Sequence, residues 1–566
     1  MKKRFTIVAL VQCFFLLNLA IQIQAQITPE VLQQRVDSLF LDVQERVGPG
    51  AAVLVVKDQK VILNKGYGMA NLDYELPITP NTVFDLASVS KQFAGYAASL
   101  LIEQGKLSED TEVREIIPEF PAFEHKITVR HLVHHTSGLR DWPGVLSLAG
   151  WGFEDVISFE QILRMAYAQE DLNFVPGSEY SYSNTGYNVL VEMIQRVTGQ
   201  SFRAWTNQHI FQPLGMHSTL FLDNHNEVIK NRATSYYLNN QEQYQRTSNN
   251  LTALGSSSLF STTNDLARWV MHLLNPPADS KAVVERLFQT DQFNNGEENN
   301  YAYGLSMSTF RGTDWISHSG SWASFRTYLV LLPAYGLSVV VLNNNDQSAF
   351  RIAREIATYY VPKEASKSED AAVEDTKAVS LPKSVLDSYA GTYKLGPAWY
   401  VHLTVEGDQL FTQATNEDKF PMTAIADTVL LIKAYGNRTM TFHKDEQAKV
   451  THMVYNDMIC PKLGDISIFN SKYAQEYAGT YFSSELNTWY QVKAEEGTLK
   501  LWQLHNGEIE LTPAWDDDFV ASKWYANSVE FQRDANGKIN GFSVWQYRSR
   551  NQFFRKIDER ELFPNN

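Results

Sequence analysis

The pentapeptide Tyr389-Ala390-Gly391-Thr392-Tyr393 occurs a second time as Tyr477-Ala478-Gly479-Thr480-Tyr481, and its surroundings recur with it. Trp399-Tyr400 matches Trp489-Tyr490, Gly407 matches Gly497, and Phe442 with Asp445 matches Phe531 with Asp534. A stretch duplicated in this way folds as two copies of one unit. Each copy alternates apolar and polar residues in short runs, broken by turn residues such as Glu406-Gly407-Asp408 and Asn536-Gly537, which is the pattern of small all-β barrels or sandwiches. Two β-barrel modules are therefore expected, at 382–468 and 471–566. Ahead of them, Lys363 to Ser380 holds no aromatic residue and is dense in charge, so 363–381 is expected to be a linker.

The 566 residues exceed the ~250–300 at which one hydrophobic core stops growing, so a further domain is expected over 27–362. Ala51 to Val56 and Val61 to Asn64 are β-rich runs around Lys57-Asp58-Gln59-Lys60, a hairpin pattern. Ser88 to Gln104 places Phe93, Ala97, Leu100 and Leu101 at helical spacing and stops at Gly105. Helical stretches follow at 189–197 and 264–274. Two apolar strands, Phe325 to Leu332 and Leu337 to Leu342, flank Pro333-Ala334-Tyr335-Gly336, and a helix closes the region from Ala349 to Tyr360. This order predicts an α+β domain whose antiparallel sheet joins the two ends of the region, with a helical insertion between them.

Met1-Lys2-Lys3-Arg4, an apolar run from Phe5 to Ala20 and the small residue Ala25 form the pattern of a cleaved secretory signal over 1–25. The run is short for a membrane span, so an exported protein, periplasmic or extracellular, with no stable span after cleavage is expected. Cys13 lies in that run, which leaves Cys460 without an intrachain disulfide partner and best read as a buried structural residue. With 49 Lys and Arg against 64 Asp and Glu, a net charge of −15, the chain lacks the basic surface that tracks phosphates, and nucleic acid is not an expected partner.

Three short motifs carry candidate chemistry. Ser88-Val89-Ser90-Lys91 sets a hydroxyl and an amine three residues apart at a helix start, on one helix face. A serine hydroxyl becomes a nucleophile only when a neighbour takes its proton. The same spacing at Ser380-Leu381-Pro382-Lys383 sits among charges and a proline that argue against a site, and for Ser88 and Lys91 taken alone an ordinary capped helix start is the favoured reading. On the loop Pro176 to Asn184, Tyr182 and Asn184 are two residues apart, one able to shuttle a proton and the other to hold an amide; a turn with a packed aromatic is the alternative. His318-Ser319-Gly320-Ser321 precedes the strand at Phe325, where glycine admits close approach and an edge strand supplies N–H groups to an oxyanion; a simple pre-strand turn is the alternative. No Gly-x-Ser-x-Gly elbow and no His-Glu-x-x-His zinc motif is present, and His131, His134 and His135 lack metal-site spacing, so neither metal nor cofactor is expected.

In this order and at these separations the motifs resemble the three signatures of the penicillin-recognising serine hydrolases: class C β-lactamases, D-alanyl-D-alanine carboxypeptidases and related esterases and D-aminopeptidases. Ile127 to Leu139 (ITVRHLVHHTSGL) and Ser261 to Ala267 (STTNDLA) resemble two further segments of that family, and the likeness runs from about Phe40 to Tyr360. The resemblance implies a β-lactamase/transpeptidase-like domain in which Ser88 is acylated, Lys91 and Tyr182 share the proton relay and Asn184 contacts substrate. It further implies that His318 and Gly320 line the opposite wall, and that the backbone N–H groups of Ser88 and Ser321 form the oxyanion hole. The implied substrate is a small molecule or short peptide: an amide, a peptide containing D-amino acids, or an ester. The β-lactamases usually have Lys-Thr-Gly where this chain has His318-Ser319-Gly320, and a histidine is largely neutral where a lysine is cationic. Strong β-lactamase activity is therefore not expected. A catalytic domain followed by two small lipocalin-like barrels is similar to the D-aminopeptidase layout. The competing readings are a β-lactamase in the strict sense and a non-catalytic protein that binds a ligand through its barrels.

Overall fold

A computed structural model describes residues 27–362 and 378–558, apart from 416, 436, 437, 457 and 464–469, together with Glu561. The expected signal at 1–25 and most of the expected linker lie outside the described residues. No described helix is long and apolar enough to cross a membrane. The chain packs into two units, the first drawn from Met1–Ser108, Leu190–Gln292 and Glu298–Glu364, the second from Glu109–Val189, Phe293–Glu297 and Ala365–Asn566.

The first unit is built from α1 (Pro29–Ser38), β1 (Ala51–Lys57), β2 (Lys60–Tyr67), α2 (Lys91–Glu103), α3 (Thr263–Leu274), β3 (Ser306–Phe310), β4 (Thr313–Trp322), β5 (Phe325–Leu332), β6 (Leu337–Asn343) and α4 (Ala349–Thr358). Its antiparallel sheet has the order β3-β4-β5-β6-β1-β2. The β1–β6 ladder, from Ala51 opposite Asn343 to Lys57 opposite Leu337, joins the two ends of the region as the strand order predicts. Both strands are apolar almost throughout because helices cover both faces. Leu32 and Val36 of α1 and Ile356 of α4 pack on Val339 and Val341 from one side. α3 packs on β1 and β6, and its Trp269 stacks on Phe93 of α2 at 4.2 Å while donating Nε1–H to Gln92 Oε1 at 2.7 Å.

His318 to Ser321 lie inside β4 rather than ahead of a strand. The β4–β5 hairpin turns at Ala323-Ser324, both at positive φ (42° and 59°), between paired Trp322 and Phe325. That geometry is normally signalled by Asn or Gly, and neither residue here announces it.

In the second unit, the second β module is a closed eight-stranded barrel running from Gly479–Ser483 to Ser549–Ile557. Tyr481, Tyr490, Phe519, Phe531, Phe542 and Phe554 fill its core. Leu148, the last residue of the helix Trp142–Leu148, is fully buried in the same core, and its carbonyl accepts from Tyr490 Oη at 2.9 Å. A helix C-terminal carbonyl is thereby satisfied inside the barrel. The first β module is joined on both sides: Met422 N donates to Leu410 O at 2.9 Å at the corner, and Leu463 N to Thr392 O at 2.8 Å between its first and last strands. It forms sheets of four and five strands, with a corner at Met422 beside Pro421, which lacks an N–H, and an isolated bridge between Tyr393 and Lys462.

The repeated pentapeptide makes the same contacts twice. Tyr393 Oη donates to Tyr389 O at 2.8 Å and Tyr481 Oη to Tyr477 O at 2.6 Å. Gly391 and Gly479 sit at φ 137° and 143° with the stems of Lys462 and Lys556 where a Cβ would stand. Each lysine then reaches over the second tyrosine ring, at 5.7 and 5.5 Å.

Insertion and barrel are tied by Arg140, whose side chain is 1% exposed and donates to both carboxylate oxygens of Glu485 at 2.9 Å, to Asp171 O at 2.8 Å and to Arg550 O at 2.9 Å. Burial pushes the Glu485 carboxyl up and the Arg140 charge opposes that. Removing one partner of such a pair strands the other in a dry site. Arg140→Met is expected to cost about 3–5 kcal/mol in urea unfolding followed by barrel tryptophan fluorescence, and Arg140→Met/Glu485→Leu to recover most of it.

Candidate active site

Ala87 to Ser90 form a 3₁₀ turn that runs into α2 at Lys91. Ala87 stands at φ +48°, a region that L-residues avoid. The buried Asp85 carboxylate stabilises it, accepting from Ala87 N at 2.8 Å and from Asn249 Nδ2 at 2.8 Å; burial raises this carboxyl. With the turn held, the three-residue spacing brings Lys91 Nζ to 3.3 Å from Ser88 Oγ. Nζ also donates to Ser256 O at 2.7 Å. Lys91 is fully buried and Ser88 only half-buried, so the hydroxyl meets solvent while the amine does not.

β4 lies against this turn because of Gly320. A Cβ there would come within 2.1 Å of Thr327 Oγ1 and 2.2 Å of Leu86 O, and Thr327 Oγ1 itself donates to Leu86 O at 2.7 Å. Ser321, exposed, follows on the same strand. β3 pairs only with 313–317, so among the described residues 318–322 have a strand partner on one side alone, that of β5. An unpaired strand edge offers backbone N–H and C=O groups to an incoming chain.

His318 is buried. Nδ1 lies 2.6 Å from Ser319 O, which can only accept, so Nδ1 carries the hydrogen and Nε2 accepts from Tyr301 Oη at 2.8 Å. Burial, with the Lys91 charge beside it, pushes the imidazole down to about 3. The residue is a neutral Nδ1–H tautomer, not a cation.

Tyr182 and Asn184 belong to the second unit. Asn184 opens a helix, Asn184–Thr198, and both its backbone N and its Nδ2 donate to Asp141 Oδ1, at 2.8 and 3.0 Å. The Tyr182 ring is 4.3 Å from that of His135, whose Nδ1 accepts from Ser183 N at 3.1 Å. Above Tyr182, at 4.8 Å, lies the guanidinium of Arg548, from the turn between the last two barrel strands; it also meets Asp141 Oδ2 at 3.5 Å, and Asp141 N donates to Arg548 O at 3.0 Å. Asp141, His135, Tyr301 and Arg548 were not singled out by motif reading as parts of a site. Arg548 is more than 350 positions from Tyr182, and the only trace in sequence is the basic turn Tyr547-Arg548-Ser549-Arg550.

A family model described as Beta-lactamase matches residues 34–359. Protein flp of Staphylococcus aureus (strain MRSA252) is 30% identical over 336 residues, covering 58% of this chain and 66% of that protein, so the chain spans just under two thirds of its length. Penicillin-binding protein 4* of Bacillus subtilis (strain 168) is 27% identical over 450 residues, 75% of this chain and 97% of that one. The solved octameric penicillin-binding protein homologue from Pyrococcus abyssi shares the fold, with a TM-score of 0.52 at 20% identity over 84% of this chain and 99% of that chain.

Because the folded state refuses a proton that the unfolded histidine accepts, His318 makes the protein lose stability as pH falls from about 6.5 towards 3, by up to about 1.4 kcal/mol per pH unit. Imidazole NMR is expected to show the neutral Nδ1–H ring persisting to pH about 4; titration near 6.5 would contradict the assignment.

Proposed function

Because the chain belongs to the beta-lactamase family, we propose that it is exported and cleaves a small amide, peptide or ester through an acyl-enzyme on Ser88. It is a serine hydrolase of the β-lactamase and penicillin-binding protein type. The observation that carries the finer reading is the buried Lys91 amine 3.3 Å from the half-exposed Ser88 hydroxyl. Ser88 Oγ attacks the carbonyl carbon, and its proton passes to the basic partner, Lys91 or Tyr182. The oxyanion is assigned to the N–H groups of Ser88 and Ser321, and Asn184 to the substrate amide. The proton then goes to the departing amine or alcohol, and water releases the acid and regenerates the serine.

A neutral His318, its Nε2 engaged by Tyr301, supplies no charge for a β-lactam carboxylate. This favours esters and aminoacyl or peptide amides over the strict β-lactamase reading. The non-catalytic reading gains no support from a lysine buried beside a serine, since burying an amine is costly and a binding relic has no use for it. Arg548 over Tyr182 supports a role for the second barrel in limiting substrate size. Whole-barrel deletion is a poor test of that role, because it would strip the cover from Leu148.

The test is a panel of D- and L-aminoacyl amides, simple esters and a chromogenic cephalosporin, run with the wild type, Ser88→Ala and Tyr547→Gly/Arg548→Gly. Turnover of an ester or aminoacyl amide is expected to exceed that of the cephalosporin and to fall by about 10³-fold or more in Ser88→Ala. The loop variant is expected to accept bulkier substrates. Turnover that survives in Ser88→Ala defeats the acyl-serine reading, and an unchanged substrate range defeats the role given to the barrel turn.

A further inference from the structure

On the face of the sheet that carries α1 and α4, the helices cover the middle strands and leave a groove of about 340 Å³ over β3, β4 and the start of α4. Its walls carry aromatic rings. Phe350, 40% exposed, meets Tyr328 edge-on at 5.2 Å, and Trp315 lies 5.0 Å from Phe310. Ser306, Ser308 and Thr309 line it beside the rings, so the groove is mixed in polarity and open at the surface, and its volume falls in the range of small-molecule sites.

Two polar features give the groove a preferred ligand. At the rim, the Arg354 guanidinium stands 5.6 Å from the Phe310 ring and 5.9 Å from the Phe350 ring, with no carboxylate at ion-pair distance among the described residues. At the floor, hydrogen bonds run in one direction: Trp315 Nε1 donates to Tyr328 Oη at 2.8 Å, and Tyr328 Oη donates to Ser317 Oγ at 2.8 Å. The chain begins at a group that can only donate, so it ends with the Ser317 O–H, which has no acceptor among the described residues. Rim and floor thus both present donors, one of them charged, to an open groove with four rings in its walls. That combination suits an anion with acceptor oxygens attached to a flat apolar body.

We propose that this groove is a second ligand site, which takes a small carboxylate with an aromatic or flat apolar body. The site is separate from the candidate active site: successive residues of a strand point to opposite faces, so Ser317 faces the groove and His318 the other side of β4. It stands independently of the reaction assigned to Ser88.

Phenylacetate is the probe, titrated into the wild-type protein and followed by calorimetry or ligand-observed NMR. Saturable binding at millimolar concentration or tighter is expected for a ligand of this size. Arg354→Gln should weaken it about tenfold or more, and so should exchanging the probe for phenylacetamide, because each removes one side of the charge pair. Phe350→Ser, which removes a wall and no charge, should also weaken it, while Ser88→Ala should bind as the wild type does. Arg354 and Phe350 are both exposed, and matching thermal unfolding of the variants would establish that they are folded. No saturation by about 20 mM, equal affinity in Arg354→Gln, or loss of binding in Ser88→Ala would overturn the proposal. Self-association that Arg354→Gln abolishes would assign the groove to a second copy of the chain and overturn it equally.

Discussion

A fully buried lysine amine governs the first unit. An amine out of water is tolerated only where polar partners surround it and no cation stands beside it. Ser256 O and Ser88 Oγ are two of those partners, at 2.7 and 3.3 Å. The second condition falls on His318, whose imidazole is kept neutral by burial and by the Lys91 charge, and whose proton sits on Nδ1 because Ser319 O accepts there. The third consequence is steric: a strand can lie this close to the serine's turn only with glycine at 320, where Leu86 O and Thr327 Oγ1 occupy the space of a Cβ. The arrangement of the β4 wall thus follows from enclosing one amine beside one hydroxyl.

The second unit solves a different problem. A small closed barrel has to fill its mouth, and here the helix Trp142–Leu148 does so with Leu148. The same docking brings the turn at Arg548 onto Tyr182 and Asp141. Arg140 and Glu485 hold the two parts together with a buried ion pair next to Asp141, the partner of Asn184. The tyrosine and asparagine of the second motif are therefore supported by a module that begins almost 300 residues after them.

Much of this was legible in the chain. The β1 hairpin, the helix after Ser88, the joining of early and late strands and the all-β character of the second module follow from apolar periodicity, turn residues and the repeat; the number of strands in the barrel does not. The contact between Ser88 and Lys91 follows from helical spacing, but that spacing alone did not mark a site; the ordered set of segments that resembles the penicillin-recognising serine hydrolases did. The β4–β5 turn escaped detection because Ala323 and Ser324 adopt positive φ without a residue type that favours it. Asp141, Tyr301 and Arg548 escaped because their positions depend on tertiary docking between distant segments, and no local spacing encodes that.

The reactivity of Ser88 depends on the proximity of one amine to one hydroxyl, and a covalent probe reads this most directly. Treated with a fluorophosphonate and digested, the protein should yield a single modified peptide with the adduct on Ser88, at a rate that collapses in Lys91→Met while thermal unfolding shows that variant to be folded. An adduct on another residue, or labelling of Ser88 at an undiminished rate in folded Lys91→Met, would contradict it.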